Sequence, residues 1–140
     1  MESKEKNNVI FLRLFPDENI NDMIIKACRE NNVKTAVILS GIGQAKNVKL
    51  GYFRKKGDYS EERFTKPFEI LSLTGNIVKQ NDEYLLHLHA VLGDENKKTI
   101  GGHFINGIIS ITGEIVILKT KINAKRVYDE ETGLKALKLE

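Results

Sequence analysis

Apolar positions alternate in short bursts along most of the chain, and the alternation predicts strands. Asn8 to Phe15 places Val9, Phe11, Leu12 and Leu14 among polar neighbours before Pro16-Asp17 breaks the run, which reads as a first strand ending in a turn. The period then changes. Ile20, Ile24, Ala27 and Cys28 recur at helical spacing, with Asn19 placed to cap the start and Asn31-Asn32 to end it. Ala36-Val37-Ile38-Leu39 is an unbroken apolar run rich in strand formers, so Val33 to Ser40 reads as a strand buried on both faces. Gly41 and Gly43 follow and read as a tight turn, because no Gly-Lys-Ser/Thr completes a phosphate loop and Val48, Leu50 and Tyr52 alternate as a strand where a helix would be needed. Further strands are predicted over Phe68 to Val78, Glu83 to Leu92, Thr99 to Ile105 and Ile108 to Thr120. The breaks fall at Gln80-Asn81-Asp82, at Gly93-Asp94-Glu95-Asn96 and at Asn106-Gly107, a dipeptide that signals a hairpin.

One stretch resembles another. Ile70-Leu71-Ser72-Leu73-Thr74-Gly75-Asn76-Ile77-Val78 and Ile108-Ile109-Ser110-Ile111-Thr112-Gly113-Glu114-Ile115-Val116 match nearly position for position. Two copies are too few for a stacked array, so they read as paired strands, each bent at a glycine. The chain divides into a disordered extension over residues 1–8, a folded domain over 9–128 and a charged, turn-rich tail over 129–140 that is either an edge segment or mobile.

The three histidines supply the chemistry, and all lie between Tyr84 and Phe104. In Leu86-His87-Leu88-His89-Ala90 a strand sends His87 and His89 to one face and the leucines and alanine to the other. Their Cα atoms are then about 6.5 Å apart, a span that two imidazoles close onto one ion. His103 follows Gly101-Gly102, at the start of the strand expected to pair with the first. Three neutral nitrogens facing one point suit zinc or a similar divalent ion, with a fourth position left for water or a carboxylate.

Composition narrows the classes. The chain has 140 residues, 41% hydrophobic and 29% charged, which is one domain's worth of core. No apolar run approaches the roughly eighteen residues of a membrane span, and the first eight residues are too polar for a signal peptide. Cys28 is the single cysteine, which excludes an internal disulfide and paired-thiolate metal sites and suits a reducing cytoplasm. Its place on the buried stripe reads as core. A net charge of +3 falls short of a nucleic-acid-binding stripe.

Ser40-Gly41-Ile42-Gly43, Pro67-Phe68-Glu69-Ile70-Leu71-Ser72-Leu73-Thr74-Gly75, His87-Leu88-His89, Gly101-Gly102-His103 and the run from Ala124 to Leu134 together resemble the plant and prokaryote conserved (PPC) domain, from about Arg13 to Leu134. The resemblance implies an α/β (α+β) fold with a strongly bent antiparallel or mixed sheet and one main helix, assembled as a homotrimer. It also implies a metal-binding role for His87, His89 and His103, and the fold group is similar to that of α-acetolactate decarboxylase, a zinc protein with a His-x-His pair and a later histidine. In plants the domain follows AT-hooks, and stand-alone prokaryotic members carry a DNA-binding label by association. No Arg-Gly-Arg-Pro core occurs here.

Two functions follow as expectations. One is a metal-dependent protein or enzyme of unnamed substrate, with Glu69 as candidate fourth ligand or general base and Arg63 as candidate anion-binding residue. The other is a non-enzymatic DNA-binding or assembly module. Its phosphate contacts would come from Lys46, Lys49, Arg54, Lys55 and Lys56 and from Lys119, Lys121, Lys125 and Arg126, and would give weak, nonspecific binding.

Overall fold

The computed structural model describes residues 1–140. Nine strands and one helix follow the order β1 (Glu2–Lys6), β2 (Val9–Leu14), α1 (Ile20–Glu30), β3 (Thr35–Lys55), β4 (Asp58–Phe64), β5 (Phe68–Gln80), β6 (Glu83–Gly93), β7 (Thr99–Thr120), β8 (Ala124–Tyr128) and β9 (Lys135–Leu139). Seven strands form one antiparallel sheet in the order β1-β2-β7-β6-β5-β3-β4, and a further β7–β3 pairing curls that sheet onto itself. The result is an α+β single domain with a strongly curled antiparallel sheet, as the resemblance implied.

Strand alternation sorts the side chains. One row of ladder partners runs through Ile10, Ile117, Ile38, Gly75 and Leu88; its four side chains point inward and are buried, where α1 adds Ile20, Ile24, Ala27 and Cys28. The next row, Leu118, Val37, Asn76 and His87, points outward. Asn19 caps α1 by accepting from the Asp22 N–H at 3.1 Å, as its position in the sequence predicts. Cys28 is fully buried and its thiol is pushed up to about 12, which leaves no thiolate for chemistry.

Two predicted turns are absent. Gly41 and Gly43 lie within β3, which runs for 21 residues and carries pairings on both edges. Gly43 has φ 140°, and a Cβ there would meet the Thr112 carbonyl oxygen at 2.1 Å, so the glycine serves a bend and a close strand approach. Asn106-Gly107 likewise lies within the 22-residue β7. A two-residue hairpin of the common type needs positive φ at both centres, and neither residue has it; the Asn106 side chain instead accepts from the Gly107 N–H and from Asn19 Nδ2, opposite a bulge in β3 at Asn47.

The ends also differ from expectation. Residues 2–6, expected to be disordered, pair with β2 through a two-residue turn at Asn7 and Asn8, whose φ of 53° and 67° suit a type I′ hairpin. In the tail, β9 pairs with β8 in a separate two-stranded sheet. The matching segments within β5 and β7 are not paired with each other. They flank β3, where Ile38 faces Gly75 on one side and Ile117 on the other.

Candidate metal centre

His87 and His89 project outward from β6 because Leu88 and Ala90 take the core side, and the ladder places His103 of β7 directly opposite His89. The three side chains converge. Nε2 of His87 and Nε2 of His89 are 3.3 Å apart, and one ring nitrogen from each histidine lies within 4.8 Å of the others. Four ligands around zinc at 2.0–2.1 Å are spaced by about 3.3–3.4 Å, so the His87–His89 separation matches a tetrahedral edge. Nitrogen donors in this arrangement fit a divalent ion of the zinc class.

The electrostatics favour the neutral forms of His87 and His103. Burial lowers the proton affinity of His87, and the charges of Arg126, His103 and His89 lower it further. Burial and then His89 do the same for His103, against the opposing pull of Glu61.

A cavity of about 990 Å³ opens beside the triad. Gly51 of β3 faces His103 across the ladder and leaves room for Tyr59, whose hydroxyl oxygen lies only 1.9 Å from where a Gly51 Cβ would stand. The Tyr59 ring meets His103 edge-on at 6.2 Å between centroids. On the other side Arg126 of β8 donates from Nη2 to Asn76 Oδ1 at 2.5 Å, and Asn76 is the ladder partner of His87. Sequence reasoning did not single out Tyr59, Asn76 or Arg126 for this site. Tyr59 lies on β4, a strand that the apolar alternation does not predict, and the sequence places Arg126 only among basic residues for phosphate contact.

Glu69 and Arg63 are not brought to the histidines. Glu69 pairs across β6 with Gly93, four residues or about 13 Å along the strand from His89, and its carboxylate accepts from Gln44 Nε2 at 3.0 Å. Arg63 donates to the Asn47 carbonyl at 3.0 Å and so braces the β3 bulge. The carboxylate whose charge reaches His103 is Glu61, which stands across Gly51 from it and pairs with Lys49.

Solved structures share this fold over nearly the whole chain. A protein of Bacteroides thetaiotaomicron named as a candidate DNA-binding protein aligns at 27% identity and a TM-score of 0.91, covering 98% of this chain and 96% of its own. A plant- and prokaryote-conserved (PPC) protein of Pyrococcus horikoshii aligns at 25% identity and a TM-score of 0.84, with 98% and 93% covered. A metal-containing protein of Archaeoglobus fulgidus aligns at 27% identity and a TM-score of 0.83, with 94% of each chain covered. Among curated proteins, a bifunctional GlmU protein of Synechococcus is 28% identical over 124 residues; the match takes in 87% of this chain but 18% of that protein's length. The model of the Plants and Prokaryotes Conserved (PCC) domain matches residues 1–121, and with the fold and the neighbours in agreement the chain belongs to that family.

Proposed function

We propose that this is a metal-dependent PPC-domain protein in which His87, His89 and His103 hold a divalent ion, zinc foremost, at the mouth of a ligand cavity. The observation that carries the reading is the convergence of three ring nitrogens within 4.8 Å, with the His87–His89 pair at the length of a tetrahedral edge. The metal-containing neighbour from Archaeoglobus fulgidus supports it. Zinc so held would polarise a ligand oxygen and lower the pKa of a bound water to about 7. The chain's own part is to keep His87 and His103 neutral and to line the approach with Tyr59 and Arg126. Purified protein, stripped and then offered zinc, is expected to take up about one ion per chain by elemental analysis; no uptake at micromolar zinc overturns the reading.

The same outward face supports assembly as a homotrimer. Phe11 is 62% exposed and Leu39 54%, beside Val116 and Leu118 on strands that continue toward His87. Apolar groups gathered on one sheet face are covered when copies pack together. Native mass spectrometry is expected to give three times the 15.9 kDa of one chain, and a monomer at micromolar concentration contradicts it.

DNA binding is the reading that the Bacteroides neighbour's name favours, but most of the first basic cluster, and Lys125 of the second, is paired with carboxylates. Lys46, Lys49, Arg54 and Lys56 pair with Asp17, Glu61, Asp58 and Glu130, and Lys125 pairs with Glu140. Lys55, Lys119, Lys121 and Arg126, which are outside these pairs, support only nonspecific contacts, with dissociation constants of about 10⁻⁴–10⁻⁶ M at physiological salt. A gel shift there is expected to show no sequence preference. Nanomolar binding to one duplex over a scrambled one would make DNA the partner.

A further inference from the structure

The cavity beside the histidines contains a guanidinium that no carboxylate neutralises. The polar partners of the Arg126 side chain are Asn76 Oδ1 and, at 3.4 Å, the Lys135 carbonyl, both uncharged. None of the chain's ion pairs includes it. The group is nevertheless held in place. The Gln80 side chain accepts from the Arg126 N–H at 2.8 Å and donates to its carbonyl at 3.3 Å, which staples β8 to β5. Asn76 then fixes the guanidinium on the row that carries His87.

A half-buried cation with neutral partners leaves charge uncompensated, and the group that satisfies a guanidinium best is a planar oxyanion bound through two parallel hydrogen bonds. The rest of the cavity wall is apolar where Ile25, Phe53, Leu86 and Leu134 line it. Lys135 is the one other lysine or arginine on that wall. A phosphate dianion is recognised by several cations or by a nest of backbone N–H groups. One fixed guanidinium with an apolar wall fits a monoanion with a hydrocarbon body.

We propose that the cavity binds a small organic carboxylate, its charged end paired with Arg126 and its apolar body against the wall formed by Ile25, Leu86 and Leu134. This names the ligand class of the metal site, and it rests on the metal reading for what happens to the ligand but not for its binding. Arg126 is the specificity-determining residue.

The test titrates 4-phenylbutyrate, its neutral amide and inorganic phosphate into the full chain, zinc-loaded and zinc-free, for the parent, Arg126→Gln and Arg126→Lys. In the parent the acid is expected to bind about tenfold tighter than the amide in both metal states. Arg126→Gln removes that preference while leaving amide affinity and zinc content unchanged, and Arg126→Lys restores part of it. Equal affinity for acid and amide in the parent overturns the proposal. So does an equal loss of both ligands in Arg126→Gln, which would make the arginine a structural brace, and so does phosphate binding more tightly than the acid. An Arg126-dependent preference in a chain that never takes up zinc sinks the metal reading alone, whereas zinc uptake without the preference sinks this proposal alone.

Discussion

Single replacement of His87, His89 or His103 by alanine is expected to weaken zinc binding by more than about a hundredfold, since loss of a partner one shell further out already costs about 10–100-fold. The three variants should behave alike, because each removes one member of a set whose ring nitrogens lie within 4.8 Å. Glu69→Gln and Arg63→Gln should leave binding unchanged, their side chains being engaged with Gln44 and Asn47. If any histidine variant retains the parent's affinity, the triad is not the site.

Acid separates the same residues in another way. Burial lowers His87 and His103 in the fold, whereas in the unfolded chain both titrate near their ordinary value of about 6.5. Between the two values the unfolded chain binds more protons than the native one. The metal-free protein therefore keeps this contribution to stability above about pH 6.5 and loses it as pH falls through the lowered native values. Urea midpoints at about pH 7.5 and about pH 5 should differ less in a His87→Ala, His103→Ala double variant than in the parent. Zinc retention should likewise persist somewhat below pH 6.5 before protons displace the metal.

The histidine site was legible because a strand's period of two is rigid: once Leu88 and Ala90 face the core, His87 and His89 must share the other side. Partners drawn from distant segments were not legible. Arg126 reaches the site only because Gln80 staples β8 beside β5, a pairing of residues 46 positions apart that no local pattern announces. Turn chemistry was legible where apolar strands flanked it. Asn81-Asp82, with φ of 49° and 63°, joins β5 to β6 as expected, whereas Asn7-Asn8 uses the same geometry but follows five exposed polar residues and escaped notice. Glycine misled in the opposite direction. Within long curled strands Gly43 and Gly107 serve bends and close contacts, and a local reading cannot tell these from turns.

The curl itself can be tested at Gly75, which faces Leu88 between the ladder partners of His87 and His89. Its φ of 151° lies in the region that side chains avoid, and an added Cβ would stand 2.0 Å from the His87 carbonyl oxygen and 2.9 Å from Leu88 Cα. Both obstacles are backbone, so relief requires the β5–β6 ladder to open where His87 is anchored. Gly75→Ala is expected to destabilise the fold by about 3 kcal/mol or more, which lowers the melting temperature by roughly 10 °C in a chain of this size. It should also weaken zinc binding although no ligand has been removed. Two other glycines calibrate the result. Gly43→Ala meets the Thr112 carbonyl at 2.1 Å and should cost similar stability, but it lies on a pairing with Ile70 and Gly113 and should leave zinc affinity near the parent's in the molecules that fold. Gly57 has φ 78° with nothing within 4 Å of an added Cβ, so Gly57→Ala should cost only about 1 kcal/mol of backbone strain and change no binding. A Gly75→Ala protein that melts with Gly57→Ala and binds zinc like the parent would show that the β5–β6 contact does not hold the histidines in place.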